Sequence, residues 1–327
     1  MRVKTLRCCY LSAFFAVTTL AADARAQGAY PDKPIRLIVA FDPGGATDII
    51  ARLVTPKLAE QLGKSVIIDN RGGGGGSVGT EMAARAAPDG YTITLGTTST
   101  HVIDPVSHAN IRYDPVKDFA AISPMASMPY VLVLHPAVAA KSLKEFVTLV
   151  KTQPGKFNYS SAGTGSLSHL AGEMLKTTTG VQIVHIPYKG GGPAATAILS
   201  GESQVGFNGL APLLPHTKAG RMRAIAVGSP TRSVELPDVP TVTESGYPGF
   251  EVWVWQGFFA PRGTPATVVN RLHGEIVKIG QLRETSESFR RNGADVLTTT
   301  PNGFTRMMRA DHDKYSKVIK AAGIRLD

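Results

Sequence analysis

The sequence predicts an α/β fold in two lobes joined by two crossing strands, and three observations carry that prediction. Short apolar runs alternate with helical patterns along almost the whole chain, as when strands feed helices. Two stretches, Val39 to Ile50 and Phe157 to Leu170, each run a strand through a glycine turn directly into a helix start. Two proline-marked crossings, near Met125 to Tyr130 and near Glu251 to Pro261, bracket a middle block that has βα units of its own. A first lobe built from residues 27–128 and 254–327, with residues 129–253 inserted as a second lobe, leaves a cleft between the two.

The first 26 or so of the 327 residues read as an export signal: Arg2, Lys4 and Arg7, an apolar run from Cys8 to Ala22, then Ala24-Arg25-Ala26. The apolar run is too short to span a bilayer, which takes roughly 20 residues. Cleavage after Ala26 leaves 301 of the 327 residues, with no later stretch apolar enough to span. Both cysteines, Cys8 and Cys9, leave with the signal, so the mature chain has no disulfide and no thiol chemistry. An exported, soluble, cysteine-free chain points to a bacterial periplasm. The formal charge of +10 falls to about +7 once Arg2, Lys4, Arg7, Arg25 and Asp23 are removed. Such a balance attracts small anions or an acidic surface. The basic residues are scattered without an aromatic and arginine stripe, so nucleic acid is not the expected partner.

The apolar run Ile35 to Phe41 is the first strand, and Ile49, Ile50, Leu53, Val54, Leu58 and Leu62 form one face of the helix that follows. Thr47 or Asp48 is the expected N-cap, and Pro56 is expected to kink the helix. A helix start carries unpaired N–H groups and about half a positive charge, and Gly44 and Gly45 remove side chains that would hold an anion off. The turn is thus either an anion cradle or a tight βα turn, and the second stretch of the same design favours the cradle. If Gly45 works through its backbone, a β-branched substitute would block close approach and resist a positive φ.

A strand from Ser65 to Asn70, the glycines Gly72 to Gly76 and a helix from about Ser77 to Ala87 come next. The strand Tyr91 to Gly96 delivers Thr97 to His101 to a loop beyond its carboxyl end, the edge where open α/β sheets bind ligands. Through Pro124 and Pro129 the chain enters the strand Tyr130 to Leu134, and a helix led by Ser142 follows. The second glycine turn, a strand Val184 to Tyr188, a helix Ala194 to Leu199, a strand Gln204 to Asn208, a helix ending at Lys218 and a strand Met222 to Val227 complete the middle block. Irregular chain from Pro230 to Pro248, the aromatic strand Trp253 to Phe259, and helices Ala266 to Ile279 and Phe304 to Ala322 close the sequence.

Enzyme motifs are weak. Gly75-Gly76-Ser77-Val78-Gly79 fits G-x-S-x-G, but a glycine run rather than a strand leads into Ser77. No phosphate loop and no H-E-x-x-H is present, and the eight histidines are dispersed, so no metal, nucleotide or other cofactor is expected. His169 and His185 lie nearest the expected site and read as structural hydrogen-bonding residues. Lys189, before a glycine run, reads as a solvated loop cation, while Trp253 and Trp255 fit either the hinge or cleft lining or core packing and are left out of the site.

P-G-G-x-x-D at Pro43 to Asp48, D-N-R-G-x-G-G at Asp69 to Gly75, A-P-D-G-Y-T at Ala87 to Thr92 and Y-D-P-V-K-D-F at Tyr113 to Phe119 recur in order in one known family. So do Y-x-S-x-G-x-G-S at Tyr159 to Ser166, P-Y-K-G-G-G-P-A at Pro187 to Ala194, P-H-x-K-A-G at Pro215 to Gly220 and G-F-F-A-P-R-G-T-P at Gly257 to Pro265. The chain resembles the periplasmic solute-binding proteins of tripartite tricarboxylate transporters, the Bug receptors. The resemblance implies a type II-like periplasmic-binding-protein (Venus flytrap) fold with two hinge-crossing strands, a small organic carboxylate as ligand, and membrane permease subunits as partners of a monomeric receptor.

The expected contacts from the first lobe are Phe41, Gly44, Gly45, Thr47, Asp48 and Thr100; those from the second are Ser161, Ala162, Gly163, Thr164, Gly165, Ser166, Tyr188, Gly190 and Asn208. The two cradles are expected to grip one carboxylate, largely through backbone N–H groups and bridging water. Departures from the family pattern are Asn208 where Asp is frequent, Gly209 where Asn is frequent, and Asp104 where Asn is usual, which would charge the cleft if it points inward. Two other readings remain open: a serine hydrolase using Ser77 or Ser166, and a sensory receptor of the same fold.

Overall fold

A computed structural model describes residues 30–108, 111–321 and 323. The expected export signal and its cleavage site lie outside them. Strand β1 (Ile35–Val39), I-R-L-I-V, is rich in β-branched residues and almost wholly buried, and it hands the chain to helix α1 (Ala46–Leu62). The N-cap is Gly45, not Thr47 or Asp48. Those residues lie in the first turn, where the Asp48 carboxylate reaches back to accept the Gly44 N–H at 2.9 Å. Such an acid satisfies an orphan donor and complements the helix dipole. Pro56, expected to kink α1, sits inside an uninterrupted helical span.

Strands β2 (Val66–Asn70) and β3 (Thr92–Thr97) both run parallel to β1. Between them the glycine run makes a 3₁₀ turn, Gly74–Gly76, and helix α2 (Ser77–Ala84) follows, ending before the expected Ala87. The loop expected at Thr97 to His101 is instead a π-helical turn, Ser99–Ile103, running into α3 (Asp104–Ser107). The Thr97 and Thr100 hydroxyls each accept the other's backbone N–H, at 3.3 and 3.0 Å, and so satisfy the turn locally.

Strand β4 (Phe119–Leu134) is the spine of the molecule, 16 residues long and carrying both Pro124 and Pro129. Helix α4 (Leu143–Thr152) is capped by Ser142 as expected, its hydroxyl accepting the Glu145 N–H at 3.2 Å. Then come β5 (Asn158–Ser161), α5 (Leu167–Thr179), β6 (Val184–Pro187), α6 (Gly191–Ser200), β7 (Val205–Gly209), α7 (Leu210–Lys218) and β8 (Arg223–Val227). Helix α6 starts at Gly191 rather than Ala194, the glycines themselves forming its first turn. After irregular chain come β9 (Trp253–Pro261), α8 (Ala266–Gln281), α9 (Arg283–Arg291), β10 (Asp295–Val296) and α10 (Pro301–Ala321). The sequence reading missed α9 and β10. In α9, R-E-T-S-E-S-F-R-R, only Phe289 is strongly apolar, so there is almost no periodicity to detect, although Phe289 is fully buried.

The strand order is β2-β1-β3-β9-β4-β7-β5-β6, with β10 and β8 also paired to β4. Strand β4 changes partners at its middle. Residues Phe119 to Pro129 pair antiparallel with β9, while Tyr130 to Leu134 lie between β7 and β8. The ladder with β9 is irregular between Pro124 and Ala126, where a proline deprives it of a donor. The chain returns from the second half-sheet beside this same point, with Trp253 opposite Pro129. The result is a two-lobed α/β fold whose half-sheets share one strand. Among the described residues no helix is long and apolar enough to cross a membrane.

Candidate functional site

The two lobes touch through main chain and small residues. The Asp42 N–H donates to the Lys189 carbonyl at 2.9 Å, and the Leu167 N–H donates to the Ser99 hydroxyl at 3.0 Å. A Cβ on Gly45 would lie 3.2 Å from the Gly192 nitrogen and 3.3 Å from that of Gly191, so the first cradle meets the start of α6 backbone to backbone. Gly45 itself has φ −81°, which any residue adopts, so the expected need for a positive φ there is corrected. The left-handed residue of that turn is Gly44, at φ +83°. The glycine run supplies the second contact. Gly75 has φ +64°, and a Cβ there would lie 2.3 Å from the Thr164 carbonyl oxygen.

Between these contacts lies a cavity of about 30 Å³, room for about two water molecules. Phe41, Gly45, Ala46, Thr47, Thr97, Ser99, Val254 and Gln256 line it from one lobe, and Ala162, Gly191, Asn208, Gly209 and Pro212 from the other, with Tyr130 at the crossing. Three helices begin on it: α1 after Gly45, α6 after Gly190 and α7 after Gly209, and none has a side-chain cap. Each start presents unpaired N–H groups and about half a positive charge, which at α1 the Asp48 carboxylate in the first turn partly offsets. In α7 the third position is Pro212, so only Leu210 and Ala211 add N–H groups there. Among the described residues no carboxylate, lysine, arginine or histidine side chain lines the cavity. Burial raises the Tyr130 phenol well above its usual range, so Tyr130 is neutral. The field inside is therefore that of backbone dipoles, which favour an anion.

Two amide side chains on the wall lack partners. Asn208 Nδ2, Gln256 Nε2 and Gln256 Oε1 are all buried with no hydrogen bond within the protein. Buried polar atoms are nearly always paired, and an orphan costs about 1–3 kcal/mol. A strand alternation places Gln256. Trp255 points away from the cleft, donating its Nε1–H to Asp311 at 2.7 Å, so Val254 and Gln256 face the cavity.

Of the residues singled out from the sequence, Phe41, Gly45, Thr47, Ala162 and Asn208 line the cavity. Gly190 is the N-cap of α6, buried against Phe41 and Asp42. The others hold the walls. Asp48 binds Gly44, Arg52 and Asn70; Thr100 binds Thr97 and His101; Ser161 binds His185 Nε2 at 2.6 Å. Ser166 caps α5, accepting the His169 N–H and donating to the Gly163 carbonyl. Gly163 and Thr164 pack on Gly75, and Gly165 lies against the His108 ring from the opposite lobe. Gly44 and Tyr188 face a separate outer pocket, and the Tyr188 hydroxyl donates to Glu202 at 2.7 Å.

Asp104 does not charge the cleft. It is fully buried, accepts the Tyr113 hydroxyl at 2.8 Å and lies 2.7 Å from His108 Nδ1. Behind the second cradle His169 and His185 stack at 3.8 Å, and burial pushes each imidazole down to about 4. The expected contacts omit Ala46, Thr97, Ser99, Tyr130, Gly191, Gly209, Pro212, Val254 and Gln256, although Thr97 and Ser99 belong to the loop assigned from the sequence to the ligand edge of the sheet. Two of the others carried a signal. Gln256 is the lone hydrogen-bonding amide in the run W-V-W-Q-G-F-F, and Gly209 joins a strand directly to a helix.

Residues 50–324 match the family described as tripartite tricarboxylate transporter family receptor. BugT of Bordetella pertussis is 34% identical over 314 residues, 96% of each chain. The solved structure of a periplasmic transporter is 40% identical with TM-score 0.89, covering 91% of this chain and 100% of that one. That of Rpa4515 from R. palustris with adipate is 32% identical with TM-score 0.88, covering 90% and 99%. A family match through both half-sheets, like these likenesses in sequence and fold, spans nearly all of the described chain: it belongs to the tripartite tricarboxylate transporter receptor family.

Proposed function

We propose that this protein is an extracytoplasmic receptor that captures a small organic carboxylate between its lobes and delivers it to membrane permease subunits. In this reading residues 1–26 are removed on export to the periplasm, residues 27–128 and 254–327 form one lobe, and residues 129–253 form the other. The observation that carries it is the set of three uncapped helix starts around an interlobe cavity that, among the described residues, has no ionisable side chain but a neutral tyrosine. Such a site favours an anion without a counter-cation. That a relative's structure is described with adipate supports the same class of ligand. Closure follows from the geometry: Gly45 and Ala46 come from one lobe, Gly191 and Gly209 from the other, so only the closed form offers all the donors. A ligand shifts that equilibrium by its differential affinity for the two forms. As drawn together here, the walls leave less room than a four-carbon acid needs, so ligand size sets how far the lobes close.

The test is calorimetric titration of mono-, di- and tricarboxylates into chelator-treated protein. Binding of at least one acid, unaffected by added divalent metal or nucleotide, is the expected result. Absence of binding to every acid, or binding that returns only with a divalent ion, would overturn it.

A further inference from the structure

We infer that the cleft selects a carboxylate carrying its own neutral hydrogen-bond donor, a hydroxy acid, and that Gln256 reads that hydroxyl. The inference rests on the carboxylate reading above and narrows it. Gln256 is 1% exposed, yet neither its Oε1 nor its Nε2 has a hydrogen bond within the protein. The point is independent of which way the amide is turned, because either orientation leaves one acceptor and one donor on the cavity wall. Helix starts and Asn208 Nδ2 supply donors only, and a carboxylate answers those fully. The amide oxygen needs the opposite. An unsubstituted mono- or dicarboxylate has no proton to give, so closing on it leaves the amide oxygen with only a wall hydroxyl (Thr47, Thr97, Ser99 or Tyr130) or a trapped water to answer it.

The donor is a hydroxyl rather than an ammonium. Among the described residues no aspartate or glutamate lines the cavity, so an ammonium group would be stripped of water with no carboxylate on its wall to balance it. A hydroxyl is neutral. It gives its proton to Gln256 Oε1 and offers its lone pairs to Gln256 Nε2 or Asn208 Nδ2. Strand β9 carries Gln256 and β7 carries Asn208, which lie in different half-sheets, so a hydroxyl engaging both also favours closure.

Calorimetry with matched pairs differing by one hydroxyl tests this: lactate against propionate, malate against succinate, 2-hydroxyglutarate against glutarate, with alanine and aspartate as ammonium-bearing controls. The hydroxy acid of the tightest pair should bind on the order of tenfold to a hundredfold more tightly than its deoxy partner. Gln256→Leu and Gln256→Met should shrink that ratio to about threefold or less, the hydroxy acid losing its partner while the deoxy acid no longer strands an unpaired amide oxygen. Equal affinities within every wild-type pair would overturn the inference while sparing the carboxylate reading, as would tighter binding of the amino acids. A preference that survives in both folded variants would remove Gln256 from the role. Failure of every acid to bind would bring down both readings together. The wild-type pairs decide even where a variant fails to fold.

Discussion

The Asp42 N–H donates to the Lys189 carbonyl across the cleft at 2.9 Å, while the Lys189 side chain is exposed to solvent. Lys189 thus joins the lobes by its backbone and not by its charge. Lys189→Ala should cost under about 1 kcal/mol of ligand affinity, as for a solvated rim charge. Calorimetry at two salt concentrations checks this, and a large salt-dependent loss would recast the site as a cation pocket.

Gly45→Val should be far more damaging. The added atoms would meet the Gly191 and Gly192 nitrogens, which a Cβ alone already approaches to 3.3 and 3.2 Å. Loss of two charge-assisted hydrogen bonds at about 1.5–3 kcal/mol each weakens binding on the order of a hundredfold or more. Because φ at Gly45 is ordinary, thermal stability of the open protein should change little. A variant with normal folding and normal affinity would sink the backbone-cradle account.

Gly75→Ala separates closure from folding in the opposite way. Its Cβ would drive into the Thr164 carbonyl at 2.3 Å, and the left-handed φ of +64° adds strain, about 1–2 kcal/mol for a non-glycine residue. The variant should be both less stable and more open, seen as a larger radius of gyration in solution scattering with saturating ligand. An unchanged radius would show that the glycine run does not govern closure.

Stability should fall in mild acid through the buried histidines. Burial pushes His169 and His185 from the ordinary 6.5 to about 4, so between those values the unfolded chain binds more protons than the folded one. Their contribution is complete above pH 6.5 and is lost as pH falls toward 4. Thermal midpoints measured from neutral pH to 4 should drop, and His169→Gln or His185→Gln should flatten the slope. A slope identical to wild type in both variants would rule the stacked pair out as its source.

Exported protein should begin near Gln27, because Ala24-Arg25-Ala26 follows the apolar run. Intact-mass measurement of the secreted chain settles it, and a mass that retains Met1 would contradict the export reading.

The α/β class and the two strand-to-helix turns were legible in the sequence, since these depend on local periodicity and on glycines where few other residues fit. The sequence also carried the family, through motifs spread in order from Pro43 to Pro265. Most of the cavity wall was legible only in part. Gly45, Thr97 and Asn208 sit at local signals, but Tyr130 and Gln256 join them only because β9 and β4 bring distant segments side by side. No local pattern encodes that pairing. The glycine run looked flexible in one dimension and proves to be a close contact, because its reason lies in Thr164, far along the chain. The fate of Asp104 was decided in the same way. Whether a carboxylate points into a cleft or onto a tyrosine and a histidine is a matter of packing, and only the folded chain brings Tyr113 and His108 to it.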